Sequence, residues 1–242
     1  MASPEMKTRS RRLMPRDLLC LTWIGLQYAI RLDQLQRLLY RHTPKEDRYK
    51  LKPGTDGLSL DRTYEILNKW LALDLVEKDS ILHGEKLWIW LTRAGLREAR
   101  QNFNYSGAPS SIRLAHLYSI NQVRLAIEAK RPADTWKSER QIRKELPPVA
   151  KGESQPHTPD AILTNAVNGK VTAIEAECHA KTDAELEDAL RELAVTYKSV
   201  WYFTTRTTRR QIEAMLETFE PSMQKPFVLY DLAEYGHEYG IS

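Results

Sequence analysis

HTPDAILTNAVNGKVTAIEAECHAK, from His157 to Lys181, reads as two adjacent strands that carry three carboxylates and a lysine. It opens with Pro159-Asp160, passes through the apolar Ala161-Ile162-Leu163, and breaks at the turn-forming residues Asn165 to Gly169. Val171-Thr172-Ala173-Ile174-Glu175-Ala176-Glu177 then reads as a second strand. Side chains alternate faces along a strand, so Glu175 and Glu177 share one face. If the two strands pair, Asp160 comes near both, and three carboxylates converge where a divalent cation can neutralise them. Mg²⁺ takes oxygen ligands and keeps waters, which suits Asp160 and Glu175 beside a phosphate. Lys181 can steady the charge that develops on that phosphate. Each acid also has an ordinary structural use: Asp160 can start a strand, and Glu175 and Glu177 can pair with Lys181 or Arg191. Glu128, near the end of the domain's first helix, reads as a solvated helix end rather than a fourth carboxylate of the cluster, and His157 as a loop residue rather than a general base.

Around this centre the order of elements is that of an α/β domain. A helix is expected from Ile112 to Ala129, a short strand at Trp136, and the two acidic strands next. A helix from Asp183 to Tyr197, the apolar strand Ser199 to Phe203, a helix from Arg209 to Phe219 and the strand Pro226 to Tyr230 follow. Helices between strands imply a mixed sheet covered on both faces. The pattern resembles the PD-(D/E)xK nuclease superfamily, with Asp160 as the Asp and Glu175 as the first acid of the ExK element. Glu177 stands where that superfamily has its lysine, so Lys181 or His179 must bring the positive charge.

The front half is basic. Residues 1–108 hold 19 Lys and Arg against 13 Asp and Glu, while residues 109–242 hold 17 against 19. A basic half next to a near-neutral one suggests a polyanion partner, most simply double-stranded DNA. Pro15 can open a helix on which Leu18, Leu19, Thr22, Trp23 and Leu26 recur at helical spacing. A second helix spans Leu32 to Tyr40 with Leu35, Leu38 and Leu39 inward, and the polar segment His42 to Leu58 reads as a loop. Ser59 looks like the cap of a third helix, Leu60 to Leu73, whose buried face is Thr63, Ile66, Leu67, Trp70 and Leu71. Two strands, Leu75 to Lys78 and Lys86 to Leu91, and a helix capped by Thr92 and running to Arg100 complete a winged helix-turn-helix over residues 13–103. In that fold the third helix enters the major groove. Its outer face carries Asp61, Arg62, Tyr64, Glu65, Asn68 and Lys69; Arg62 and Asn68 have the geometry for guanine and adenine edges. Lys78 and Lys86 flank the wing near phosphates, whereas Trp70, Trp88 and Trp90 read as core. Residues 101–111, QNFNYSGAPSS, form the expected linker to a second domain over 111–235.

With both halves together, the chain resembles the replication-relaxation family of plasmids and mobile elements over residues 13–231. The carriers are Met14-Pro15-Arg16-Asp17, Leu32-Asp33-Gln34-Leu35, Leu91-Thr92-Arg93-Ala94-Gly95, His116 with Asn121-Gln122-Val123-Arg124-Leu125, His157-Thr158-Pro159-Asp160, Ile174-Glu175-Ala176-Glu177 and Val200-Trp201-Tyr202-Phe203. The resemblance implies a double-stranded DNA-binding protein in replication, relaxation or transfer, with replication or relaxosome proteins as partners. Two other classes fit the same residues: a Mg²⁺-dependent endonuclease acting through Asp160, Glu175, Glu177 and Lys181, and a homodimeric winged-helix transcriptional regulator. No apolar run approaches the ~20 residues of a membrane span. Cys20 and Cys178 have no zinc-ligand spacing, so a reducing cytoplasm is the expected setting.

Overall fold

The computed structural model describes residues 12–44, 57–147 and 156–235. The basic residues Lys7, Arg9 and Arg11, and most of the expected loop between His42 and Leu58, lie outside them. The chain divides into two compact units, Met1–Leu114 and Ala115–Ser242, described separately below.

In the first unit α1 runs Pro15–Leu26, and the Met14 N–H bonds the Asp17 carboxylate at 3.0 Å to close its first turn. Its buried face is Asp17, Cys20, Leu21, Trp23, Ile24 and Gly25, so Leu18 and Leu19, expected inward, are exposed. Trp23 is buried as expected, and Cys20, Leu21 and Ile24 supply the rest of the stripe. Tyr28, at φ 70°, turns the chain into a three-residue strand β1 (Ala29–Arg31) that periodicity cannot reveal. Next, α2 (Leu32–His42) buries Leu35, Leu38 and Leu39 as expected. Helix α3 (Leu60–Ala72) starts where the Ser59 hydroxyl accepts from the Arg62 N–H at 3.3 Å. It buries Thr63, Ile66, Leu67 and Trp70, while Leu71 is only half-buried.

Strands β2 (Val76–Asp79) and β3 (Trp88–Leu91) pair antiparallel, and β1 adds to the other edge of β3. The order is β1-β3-β2. Trp70, Trp88 and Trp90 are all core. Helix α4 (Arg93–Glu98) is capped by Thr92, whose Oγ1 accepts from the Gly95 N–H at 2.9 Å. It ends two residues short of the expected Arg100, which sits at φ 55°. Gly95 allows the close approach of α4 to β2: a Cβ there would stand 1.9 Å from the Leu75 carbonyl oxygen.

The expected linker is tied down at its start. Gln101 donates to the Thr22 carbonyl at 2.7 Å, and the Tyr105 hydroxyl donates to Glu77 at 2.9 Å. Both are ordered parts of the first unit.

The second unit is a mixed five-stranded sheet, β4 (Thr135–Ser138), β5 (Ala161–Thr164), β6 (Val171–Glu177), β7 (Val200–Thr204) and β8 (Phe227–Asp231), in that spatial order. Strands β4 to β6 are antiparallel and β6 to β8 parallel. The parallel pairs need crossovers. Helix α7 (Asp183–Thr196) connects β6 to β7; α8 (Arg206–Glu217) and the short α9 (Pro221–Gln224) connect β7 to β8. Helix α5 (Leu114–Lys130) precedes the sheet, and α6 (Glu139–Glu145), not among the expected elements, opens with a Ser138–Gln141 capping box and follows β4 directly.

Two apolar clusters cover the two faces. Ile120, Val123 and Ile127 of α5 pack with Trp136, Leu163, Ile174, Ala176 and Phe203. On the other side Leu186, Leu190 and Leu193 of α7 and Ile212 of α8 pack with Ala173, Val200 and Tyr202. Each Val, Leu, Ile or Phe among them is worth roughly 1.5–3 kcal/mol of burial. Strand β6 therefore has no solvent face, and a carboxylate at Glu175 must find partners inside the protein. Among the described residues no helix is long and apolar enough to cross a membrane.

Candidate functional site

Asp160 sits one residue ahead of β5, with its carbonyl fixed by the Glu139 N–H at 2.8 Å. The β5–β6 register pairs Ala161 with Ile174, so one further step sets Asp160 against Glu175. The Ala176 N–H bonds Asp160 Oδ2 at 2.8 Å. His116, from the first turn of α5, stands 2.9 Å from Asp160 Oδ1 through Nε2 and 3.1 Å from the Ala176 carbonyl through Nδ1. Two acceptors, one for each ring nitrogen, call for the doubly protonated imidazolium. The Asp160 charge raises the His116 pKa to about 9 against the opposing effect of burial. For Asp160 burial acts to raise the pKa, but the His116 charge and hydrogen bond and the Ala176 N–H outweigh it, so the net shift is down.

Glu175 is only 4% exposed and lies beside Tyr202 in the parallel register. Its Oε1 is 2.7 Å from His157 Nε2. Burial first, then the neighbouring Asp160 charge, lift its pKa to about 7. His157, which read as a loop residue, is a direct partner of the site: burial disfavours its charged form, yet Glu175 raises its pKa on balance. Glu177 pairs with Lys181 at 2.5 Å. That pair outweighs the burial of Lys181 and raises its pKa.

These groups line a cavity of about 410 Å³, together with Glu139 and Arg143 of α6. Arg143 pairs with Glu139 at 2.8 Å. The fourth carboxylate of the cavity is thus Glu139; Glu128, expected as a solvated helix end, is paired with Arg124 at 2.7 Å. Arg191 is paired with Glu187 on α7. Four acids meet four bases one to one: Asp160 with His116, Glu175 with His157, Glu177 with Lys181, Glu139 with Arg143. Like charges at this spacing are tolerable only with opposite charges between them, and the chain supplies its own. Among the described residues no group of three or more His, Cys, Asp or Glu forms a ready cluster for a metal ion. Tyr202 adds a fully buried hydroxyl with no hydrogen-bond partner among the described residues.

In the first unit, Arg62, Glu65 and Asn68 share the exposed face of α3, and Arg62 pairs with Glu65. Lys78 lies 5.7 Å from the Tyr64 ring centroid. Lys69 is turned away from that face: its ammonium donates to the Arg12 carbonyl at 2.7 Å and to Asp17 at 2.9 Å. Asp17 is wholly buried, so this bond is structural. Lys86 lies 3.8 Å from Asp33, which Arg31 also holds.

The site residues that sequence reasoning missed are His116, Glu139, Arg143 and Tyr202. His116 lies on α5, and nothing in its helical setting marks it as a partner of Asp160. No family model, curated protein or solved structure matches the chain.

Proposed function

We propose that this is a double-stranded DNA-binding protein of a plasmid or mobile element, acting in replication, relaxation or transfer. The first unit is read as a winged helix-turn-helix. The order α1-β1-α2-α3-β2-β3, with a β1-β3-β2 sheet and an exposed polar face on α3, supports that reading. The second is read as a PD-(D/E)xK-like domain, and the observation that carries the proposal lies there. Asp160 and Glu175 face one another where the antiparallel half of the sheet meets the parallel half, in a cavity that also holds Glu177 and Lys181.

The donor set fits a hard cation. Two carboxylates with room for water and a phosphate are the usual protein share of a Mg²⁺ site. Asp160 and Glu175 would hold the ion, which when bound supplies a more acidic water and shields phosphate charge. The chain's own residues do the rest. Lys181, steered by Glu177, presents a cation to a phosphate oxygen; His116 keeps Asp160 ionised and fixed; Arg143 sits on the cavity rim for a neighbouring phosphate.

A second reading has its own support. Because all four acids are already paired with bases, the cavity is stable without a cation, which favours a nuclease-like fold used for binding or assembly with replication or relaxosome partners. A gel shift on duplex fragments over a salt series, with Mg²⁺ or Mn²⁺ cleavage tested on the same fragments, separates the readings. Binding with cleavage supports the nuclease, and binding alone supports assembly. Absence of duplex binding at low salt removes both.

A further inference from the structure

A second cavity, about 440 Å³, adjoins the carboxylate cavity, and Pro156, His157 and Thr158 line both. Its other walls are largely apolar: Ile142 and Leu146 at the end of α6, Pro159, and Val195 and Tyr197 at the end of α7. His157 is the partition. Its ring is held by Glu175 on the acidic side, and its backbone N–H is held by Glu192 of α7 on the apolar side. A partition anchored from both directions keeps the two cavities distinct and adjacent.

Cavities of this size and character take flat apolar groups with a few polar edges. The walls offer proline and tyrosine surfaces, with Arg191, Glu192 and Thr196 as polar edges. A nucleotide has the matching shape, an anionic phosphate joined through one sugar to a planar base. We propose that the second cavity receives an unpaired nucleobase of the strand whose phosphate occupies the carboxylate cavity. This rests on reading the carboxylate cavity as a phosphate and metal site. It adds a substrate class: a base stacked within a duplex cannot enter, so the site takes single-stranded, frayed or nicked nucleic acid, or pays the cost of unstacking.

The test compares dAMP with deoxyribose 5-phosphate, which carries the same phosphate and no base, by calorimetry on the full chain in Mn²⁺. Base stacking on protein surfaces predicts that dAMP binds about tenfold tighter. The Leu146→Asn/Val195→Asn double variant should remove that advantage and leave deoxyribose 5-phosphate unchanged. Both changes are neutral, and Val195 is 81% exposed, so Val195→Asn alone carries the test if the double variant does not fold. Equal affinities in the native chain, or a dAMP advantage that survives the variants, overturn the base cavity while leaving the carboxylate reading intact. If neither compound binds, the carboxylate reading fails and the base cavity falls with it.

Discussion

His116 and Asp160 stand 2.9 Å apart, and each also holds Ala176, the histidine at its carbonyl and the aspartate at its N–H. One imidazolium and one carboxylate thus clamp both backbone groups of a single residue in the central strand, so a charge pair at the site is also a fastener between α5 and β6.

That fastener has a pH signature. The His116 pKa is about 9 in the folded chain against 6.5 for the free side chain. Its contribution is complete below about pH 6.5 and disappears as the pH rises through about 9. We expect about 2 kcal/mol, discounting for the exposed part of the ring. Thermal melts of the native chain and of His116→Gln between pH 6 and 10 should converge at the alkaline end. A constant gap across that range would show that His116 is not charged in the fold.

Asp160→Asn should abolish Mn²⁺ binding measured by calorimetry while leaving duplex affinity in gel shifts unchanged, because the DNA-reading face is assigned to α3. Retained Mn²⁺ binding would remove Asp160 from the metal site. Loss of DNA affinity in a folded variant would move DNA binding into the second unit.

On α3, Arg62→Ala and Asn68→Ala should each cost about 1–3 kcal/mol on a specific site and little on random duplex. Lys78→Ala and Lys86→Ala should weaken all sequences alike and flatten the salt dependence. The reverse pattern, with the wing lysines setting sequence preference, would displace α3 as the reading element.

Lys69→Met should act on stability. It strips Asp17 of a 2.9 Å charged partner and leaves, among the described residues, Arg16 and the Met14 N–H, at a cost of about 1–3 kcal/mol. Burial tends to raise the Asp17 pKa, but Lys69, Met14 and Arg16 together hold it below the ordinary 3.8. The lost increment should therefore be present above about pH 4 and vanish as the pH falls further. Urea titrations at pH 7 and pH 3 check this. Equal destabilisation at both values would assign the effect to packing.

Local chemistry was readable where one residue carries the signal. Ser59 and Thr92 are caps, Asn165 to Gly169 is a turn, and the three tryptophans are core, because hydroxyl bonding, turn geometry and large apolar area act within a few residues. Asp160, Glu175, Glu177 and Lys181 were legible as a group because strand alternation and one hairpin bring them together. What escaped depends on distant packing. Strand β1 is three residues long, and the orientation of Lys69 is decided by Asp17, 52 positions away; α6 is the exception, since its Ser138–Gln141 capping box is a local signature. His116 meets Asp160 only once α5 lies across the sheet, a contact without local periodicity.

The one-to-one matching of acids and bases has a further consequence. The four bases come from separate places along the chain: His116 from α5, Arg143 from α6, His157 from ahead of β5, Lys181 from beyond β6. Two of them, His157 and Lys181, bracket the β5–β6 hairpin, so a partly folded second unit with only that hairpin would already hold partners for Glu175 and Glu177, while Asp160 would lack His116 until α5 docked. The hairpin is therefore balanced in charge except at Asp160, and α5 supplies the last counter-charge together with its grip on the Ala176 carbonyl.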